Sequence, residues 1–182
     1  MKKHTSKLVV ILGLAVFAVA CSTKKDRFVN RNYHALTTKY NVLFNGNEAF
    51  IKGEEDLFKN YQDNFWEVLP IERVQDLEET MMPGQSKNEN FVRAETKATK
   101  AIQKHSMNIG GQERNSQIDE SYLLLGKARY HDGRFLPAIE ALNYVMYKYP
   151  ESSTISEDKL WKEKANIRLE SNETALEGLK EL

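Results

Sequence analysis

The 182 residues split their charge evenly, 26 lysines and arginines against 26 aspartates and glutamates, and include a single cysteine. That balance excludes the basic excess on which bulk attraction to nucleic acid depends. One cysteine excludes an internal disulfide, so any fold here must stand on packing alone.

The first element is a leader. Lys2, Lys3 and Lys7 precede an apolar run of 13 residues, Leu8 to Ala20, which closes in Ala18-Val19-Ala20 just before Cys21. A charged start, a short apolar stretch and small residues at its end describe a bacterial secretory signal. The run is shorter than the ~20 apolar residues that cross a bilayer, so export with cleavage is favoured over insertion. Residues 1–20 are expected to be the signal peptide. Cys21, behind a lipoprotein-type box with Ala18 where leucine is commoner, is expected to be the first residue of the mature chain and to carry lipid, palmitate included. Ordinary secretion and an uncleaved anchor are the alternatives. More than one acyl chain on Cys21 would make a durable tether. Residues 21–32 form that tether, and its Lys24, Lys25 and Arg27 either meet anionic headgroups or are solvated. Without the three leader lysines, 162 residues remain with a formal charge of about −3. That length suits one domain or a short row of helical units.

Residues 33–106 read as a helical region. From Tyr33, Leu36, Tyr40, Leu43, Phe44, Phe50, Ile51, Leu57, Phe58 and Tyr61 recur every three or four residues, the period of an amphipathic helix. Gly46 and Gly53 each weaken a helix interior, and a break near Gly53 into two helices is the alternative. Phe65, Trp66, Val68 and Leu69 lead into Pro70, and 71–90 reads as a short helix followed by a loop. A clear helix follows from Glu89 to His105, with Phe91, Ala94, Ala98, Ile102 and His105 on one side. Arg93, Lys97, Lys100 and Lys104 form a basic stripe on the other, either a solvated face or a surface for an acidic partner or a membrane.

Residues 107–117 form a loop, and its Gly110-Gly111 lacks the lysine, serine and strand context of a phosphate-binding loop. Helices resume at Ile118–His131, Leu136–Lys148, Ser156–Leu169 and Glu173–Leu182. No strand pattern competes with them, so the expected class is all-α.

Asp119 to Ser152 can be written as one 34-residue unit, the period of the tetratricopeptide repeat. Tyr122, Leu125 and small Gly126 fall on its first helix, Gly133 ends that helix, and Phe135, Ala138, Leu142 and Pro150 take the expected places in the second half. Arg129 departs from the pattern where an aromatic is usual, and Val145 where alanine is. The expected architecture is a tetratricopeptide-type helical hairpin, an α-solenoid unit, over 118–152. Residues 153–182 read as the start of a second, degenerate and incomplete repeat, with Trp161, Ala165 and Leu169 on one face and Ala175, Leu176 and Leu179 on the next. The sequence stops inside an amphipathic helix, and stacked repeats need a polar cap. Either the chain continues beyond Leu182 or a partner covers that end.

Catalytic or metal chemistry needs converging groups, and His34, His105 and His131 are widely spaced without a second ligand nearby in sequence. The expectation is no enzyme, no metal and no cofactor beyond the lipid on Cys21. A binding face is better supported. Leu123, Lys127, Tyr130 and His131 lie at i, i+4, i+7 and i+8 on one side of their helix, either as a partner-binding face, packed against the preceding helix, or plainly exposed. Trp66 and Trp161 are both expected to anchor the core.

Cys21, the stretch from Tyr33-His34-Ala35-Leu36 through Tyr40-Asn41-Val42-Leu43-Phe44-Asn45, Lys100-Ala101-Ile102-Gln103-Lys104-His105-Ser106 and Leu125-Gly126-Lys127-Ala128-Arg129-Tyr130 together resemble the amino-terminal part of the SprE/PorW lipoproteins. Those are tetratricopeptide-containing components of the type IX protein secretion system, linked to gliding motility in some Bacteroidota. The resemblance implies an outer-membrane lipoprotein facing the periplasm that helps couple the machine's periplasmic ring to its outer-membrane translocon. It also implies a chain longer than this one. Ser22-Thr23-Lys24-Lys25 lack the acidic cluster that resembles a surface-export tag in these bacteria, which favours the inner leaflet. A generic adaptor for outer-membrane protein assembly is the second reading, and a periplasmic hydrolase a remote third.

Overall fold

A computed structural model describes residues 22–66, 68–69, 72–73 and 88–182. The expected signal peptide (residues 1–20), Cys21 and most of the stretch from Ile71 to Asn90 lie outside the described residues. Within them the periodic apolar segments form helices in chain order: α1 (Phe28–Thr37), a π-helical stretch (Thr38–Leu43), α2 (Phe44–Asn60), α3 (Glu89–His105), α4 (Ile118–His131), α5 (Phe135–Lys148), α6 (Ile155–Arg168) and α7 (Asn172–Lys180). The fold is mostly helical, consistent with an all-α class. Strand among the described residues is confined to a two-residue pairing, β1 (Asn108–Ile109) with β2 (Gln112–Glu113), antiparallel across Gly110-Gly111. Both glycines take positive φ, 61° and 80°, as a tight hairpin turn demands. The expected structureless loop over 107–117 is thus a small hairpin.

The first helix begins at Phe28, ahead of the expected Tyr33, and the chain stays helical to Asn60 without a break at Gly53. The π-helical stretch adds a residue to one turn and rotates everything after it. Val42, Leu43, Ala49 and Phe50 are buried, while Leu36, Tyr40, Phe44, Ile51 and Phe58 from the same apolar pattern face solvent. The helix ends where Tyr61 turns extended, at φ −77° and ψ 129°.

Phe91, Ala94, Ala98 and Ala101 form the fully buried side of α3 and meet Leu43, Ala49 and Phe50 on one flank and Leu124, Leu125 and Ala128 on the other. The start of α3 is tied to α2 as well: Asn88 Nδ2 donates to the Gly53 carbonyl at 3.1 Å and Asn90 Nδ2 to Asp56 at 2.7 Å. The second cluster gathers Leu123, Tyr130, Ala138, Leu142, Trp161 and Ala165 from α4, α5 and α6. Each helix packs on its neighbour in sequence, and α4 also touches both α2 and α6.

One departure from the repeat pattern has a local reason. Arg129, in place of an aromatic, donates to Glu95 at 2.8 Å and to the Pro137 carbonyl at 3.0 Å. Arg134 joins the same carboxylate and reaches Asp132 at 2.7 Å, so a charge network ties α3 to the α4–α5 turn. Trp66 is a correction to the expected core: it lies in a turn beyond α2, 97% exposed, because the helix that would have carried it inward ends at Asn60. Trp161 does anchor the core.

The helices approach where side chains are smallest. A Cβ on Gly53 would lie 2.6 Å from Phe91 Cε1, and one on Gly126 would lie 2.7 Å from the Leu142 side chain. Phe91 is fully enclosed and has little room to yield. Gly53→Ala is therefore expected to lower stability by about 1–3 kcal/mol, the usual cost of overpacking, against alanine's ~1 kcal/mol advantage in a helix. Urea unfolding followed by circular dichroism reads this, and an unchanged or raised midpoint would show that Phe91 moves aside freely.

Candidate partner-binding site

The α4 helix carries Asp119 and Glu120 in its first turn and Arg129 in its last, each sign where the helix dipole favours it. Asp119 also accepts from Ser152 Oγ at 2.6 Å, fixing α4 against the turn that leads into α6. Of the candidate binding face, Leu123, Tyr130 and His131 are buried, as the packed alternative has it. The reason is lateral packing: α2 supplies Phe50, α3 supplies Phe91 and α6 supplies Trp161 to cover them. Lys127 remains half-buried, its ammonium 5.2 Å above the Phe50 ring and 5.3 Å from Trp161, and paired with Glu157 at 3.1 Å. Both aromatic faces favour a cation there.

His131 is the least expected member. It is 4% exposed, stacked on Phe91 with ring centroids 5.3 Å apart and edge-on to Phe50 at 5.1 Å. Neither ring nitrogen has a hydrogen-bond partner among the described residues; Glu54 Oε1 lies 3.7 Å from Nε2, too far for one. Burial pushes the imidazole down to about 4 from its ordinary 6.5, with Glu72 pulling it back up and Lys164, Lys127 and Arg168 pushing it further down.

His131 lines a cavity of about 670 Å³ together with Glu54, Leu57, Phe58 and Asp63 from α2 and its extension, Leu69, Glu72 and Arg73, and Lys164 from α6. On the α4–α6 side the Glu72 carboxylate accepts from Tyr130 Oη at 2.8 Å and from Lys164 Nζ at 2.5 Å. Arg168 Nη2 donates to the Glu72 carbonyl at 2.5 Å, and its Nε lies 3.4 Å from Tyr130 Oη. Lys164 also sits 3.7 Å over the Trp161 ring. Burial opposes ionisation of Glu72, but the bonds from Lys164 and Tyr130 outweigh it and hold the carboxyl below its usual range. Burial, with Glu72 beside it, pushes the Tyr130 phenol up to about 12, so it keeps its proton and donates. This cluster was not foreseeable from sequence: Glu72 is 58 residues from Tyr130 and 92 from Lys164.

The basic stripe stays apart from this cavity. Arg93, Lys100 and Lys104 are exposed and Lys97 is half-buried, its stem beside Gly46. None of the four forms an ion pair among the described residues.

A second polar cluster lies at the other end of α3. His34 and His105, treated as unrelated on sequence separation, meet with Nδ1 atoms 3.1 Å apart, so one proton is shared between two neutral rings. Asn115 Nδ2 donates to the His105 carbonyl at 2.9 Å and to Thr38 Oγ1 at 3.1 Å. Glu113 accepts from the backbone N–H groups of Met107 and Asn115 and from Ser106 Oγ, locking the hairpin onto this junction. Burial lowers both imidazoles below their ordinary value. Among the described residues no group of three or more histidine, cysteine or carboxylate side chains could hold a metal ion. No helix among them is long and apolar enough to cross a membrane. No family model matches this sequence, and no curated protein does.

All three buried histidines are neutral in the fold, so below pH 6.5 the unfolded chain binds protons that the folded chain refuses. Their contribution is complete above about pH 6.5 and is lost as pH falls; for His131 the loss runs down to about pH 4. Asp158, pushed up to about 6 mainly by burial, acts in the opposite sense over the same window. His131→Leu keeps the apolar contacts and removes the titration. Its urea midpoint should therefore fall less than that of the wild type between pH 7.5 and 4.5, by the equivalent of about 2.5 kcal/mol. Parallel curves for the two proteins would refute the buried neutral imidazole.

Proposed function

We propose that this chain is a lipid-anchored periplasmic scaffold of the type IX protein secretion system, tethered to the outer membrane through Cys21 and holding partner proteins on tetratricopeptide-type helical hairpins. The partners are periplasmic ring and outer-membrane translocon components, and the process served is protein secretion with gliding motility. The observation that carries the reading is the chain-order stacking of helices in which α4 touches both α2 and α6, leaving a cavity along that shared side. Agreement of 119–152 with the 34-residue pattern supports it, since Gly126 and Ala138 occupy close approaches between helices.

The resemblance to the SprE/PorW lipoproteins supplies the particular machine. Two of the stretches that carry it, Tyr33–Asn45 and Lys100–Ser106, meet through His34 and His105. A contact between remote segments accounts for why both should carry distinctive residues.

Affinity capture through the full-length protein from membranes is expected to recover ring or translocon subunits, and deletion of its gene to block secretion. Cys21→Ala should move the protein from the membrane fraction to the periplasm with its helical circular dichroism unchanged. Capture of outer-membrane assembly proteins with secretion intact would favour the generic adaptor instead.

A further inference from the structure

Between Ser22 and Asn47 the chain carries five basic residues, Lys24, Lys25, Arg27, Arg31 and Lys39, and one acid, Asp26; from Glu48 to Leu182 it carries 18 basic residues against 25 acidic. The positive end is the end beside Cys21. Its single acid is used inside the fold, paired with Arg31 at 3.3 Å and with Arg114, just after β2, at 3.2 Å. Lys24, Lys25 and Arg27 are exposed and form no ion pair among the described residues.

One side of α1 is sealed, with Asn30 and His34 buried and His34 held against His105. The other side is apolar and open. Phe28, 75% exposed, Val29, Leu36 and Tyr40, 67% exposed, all face solvent, and steps of seven from 29 to 36, eight from 28 to 36 and four from 36 to 40 put them on one helix side. Asn32, the polar residue among them, turns its amide onto the Phe28 carbonyl at 2.8 Å. Beyond Phe44 the apolar side is interrupted, because exposed Glu48 and Glu55 stand next to Ile51. Covalent attachment fixes where the α1 side lies. Ser22, which follows Cys21, accepts from Asn30 Nδ2 at 2.8 Å through its carbonyl, so the Cys21 Cα is ~4 Å from a residue bonded to α1. With Asp26 held at two points as well, residues 22–27 are a fastened strap rather than a slack tether.

We propose that α1 and this strap form a membrane-binding surface, in which Phe28, Val29, Leu36 and Tyr40 enter the interface of an anionic bilayer while Lys24, Lys25 and Arg27 meet its headgroups. A helix that lies in such an interface needs an apolar side and cations beside it, and each cation near the surface adds attraction to an anionic leaflet. Tyrosine suits the depth of the headgroups. The consequence is orientation: a strap this short cannot let the domain hang free, so lipid on Cys21 would hold α1 against the bilayer and turn the acidic remainder away from it. The lipid rests on the scaffold reading above, whereas the charge and the open apolar side do not.

The test places a nitroxide at Phe28→Cys, Leu36→Cys or Glu173→Cys in the full-length protein, reconstituted into vesicles of phosphatidylethanolamine and phosphatidylglycerol. All three positions are exposed, and circular dichroism checks that the helices survive. Labels at 28 and 36 are expected to be about fivefold less accessible to an aqueous nickel chelate than the label at 173, and phosphatidylcholine alone should shrink that gap by about half. Equal accessibility at the three positions overturns the proposal, as does a gap unchanged in phosphatidylcholine. Labels at 28 that broaden one another without protection from nickel would put a second copy on this side and overturn it too. Wild-type protein, whose one cysteine is Cys21, is the labelling blank. If it takes up label, the anchor reading falls, and the surface is then judged by a measurement that needs no thiol. Unlabelled protein goes into bicelles of the same lipids bearing a paramagnetic headgroup, which also serves if a label disturbs the helix. Amide signals of Phe28, Val29, Leu36 and Tyr40 must broaden more than those of Glu173 and Glu177, or the proposal fails.

Discussion

Close approach between neighbouring helices is the constraint on which the rest of this structure depends. With no disulfide to hold it, the chain stacks its helices through glycine and alanine: Gly53 against Phe91, Gly126 against Leu142, and a side of α3 made of Ala94, Ala98 and Ala101. Small residues bring backbones near enough for the large ones between them to interlock at interior density. The large ones are aromatic, and they collect along the side where α2, α4 and α6 meet. Phe50, Phe91, Tyr130 and Trp161 surround His131 there.

This packing has an electrostatic consequence. An imidazole enclosed by four rings is kept neutral, a phenol beside it keeps its proton, and lysines find aromatic faces in place of water. Ion pairs at the margin, such as Lys127 with Glu157, contribute little on their own because they are partly solvated. The Glu72 seat differs. Its donors are held by the aromatic cluster, Tyr130 buried and Lys164 over the Trp161 ring. In the Glu95 network two arginines converge on one carboxylate and hold the α4–α5 turn.

Surface polarity is arranged differently on the outer side of α3. Arg93, Lys97, Lys100 and Lys104 share one helix face without acidic partners among the described residues, and alanines form the opposite face. That division follows directly from a 3.6-residue period. The π-helical stretch breaks the same rule earlier in the chain. Its first residue, Thr38, donates to the His34 carbonyl and accepts from Asn115, which ties the stretch to the His34–His105 pair.

Local periodicity and turn chemistry determined much by themselves. The bounds of α3 and α4, Glu89–His105 and Ile118–His131, coincide with the apolar spacing, and the mostly helical class follows from it. Gly126 and Ala138 were legible as contact points because the spacing pairs them across a turn. Three matters were decided only by tertiary structure. Trp66 is exposed because a helix boundary, set by where packing stops, lies six residues before it. The α4 face of Leu123, Tyr130 and His131 is covered because α2, α3 and α6 bring aromatic rings from 30 to 80 residues away. Glu72 reaches Tyr130 and Lys164 because the chain folds back, and no local rule relates an acid to a lysine 92 residues on. Sequence records which residues can form a helix face; what covers that face depends on contacts between segments that the sequence keeps far apart.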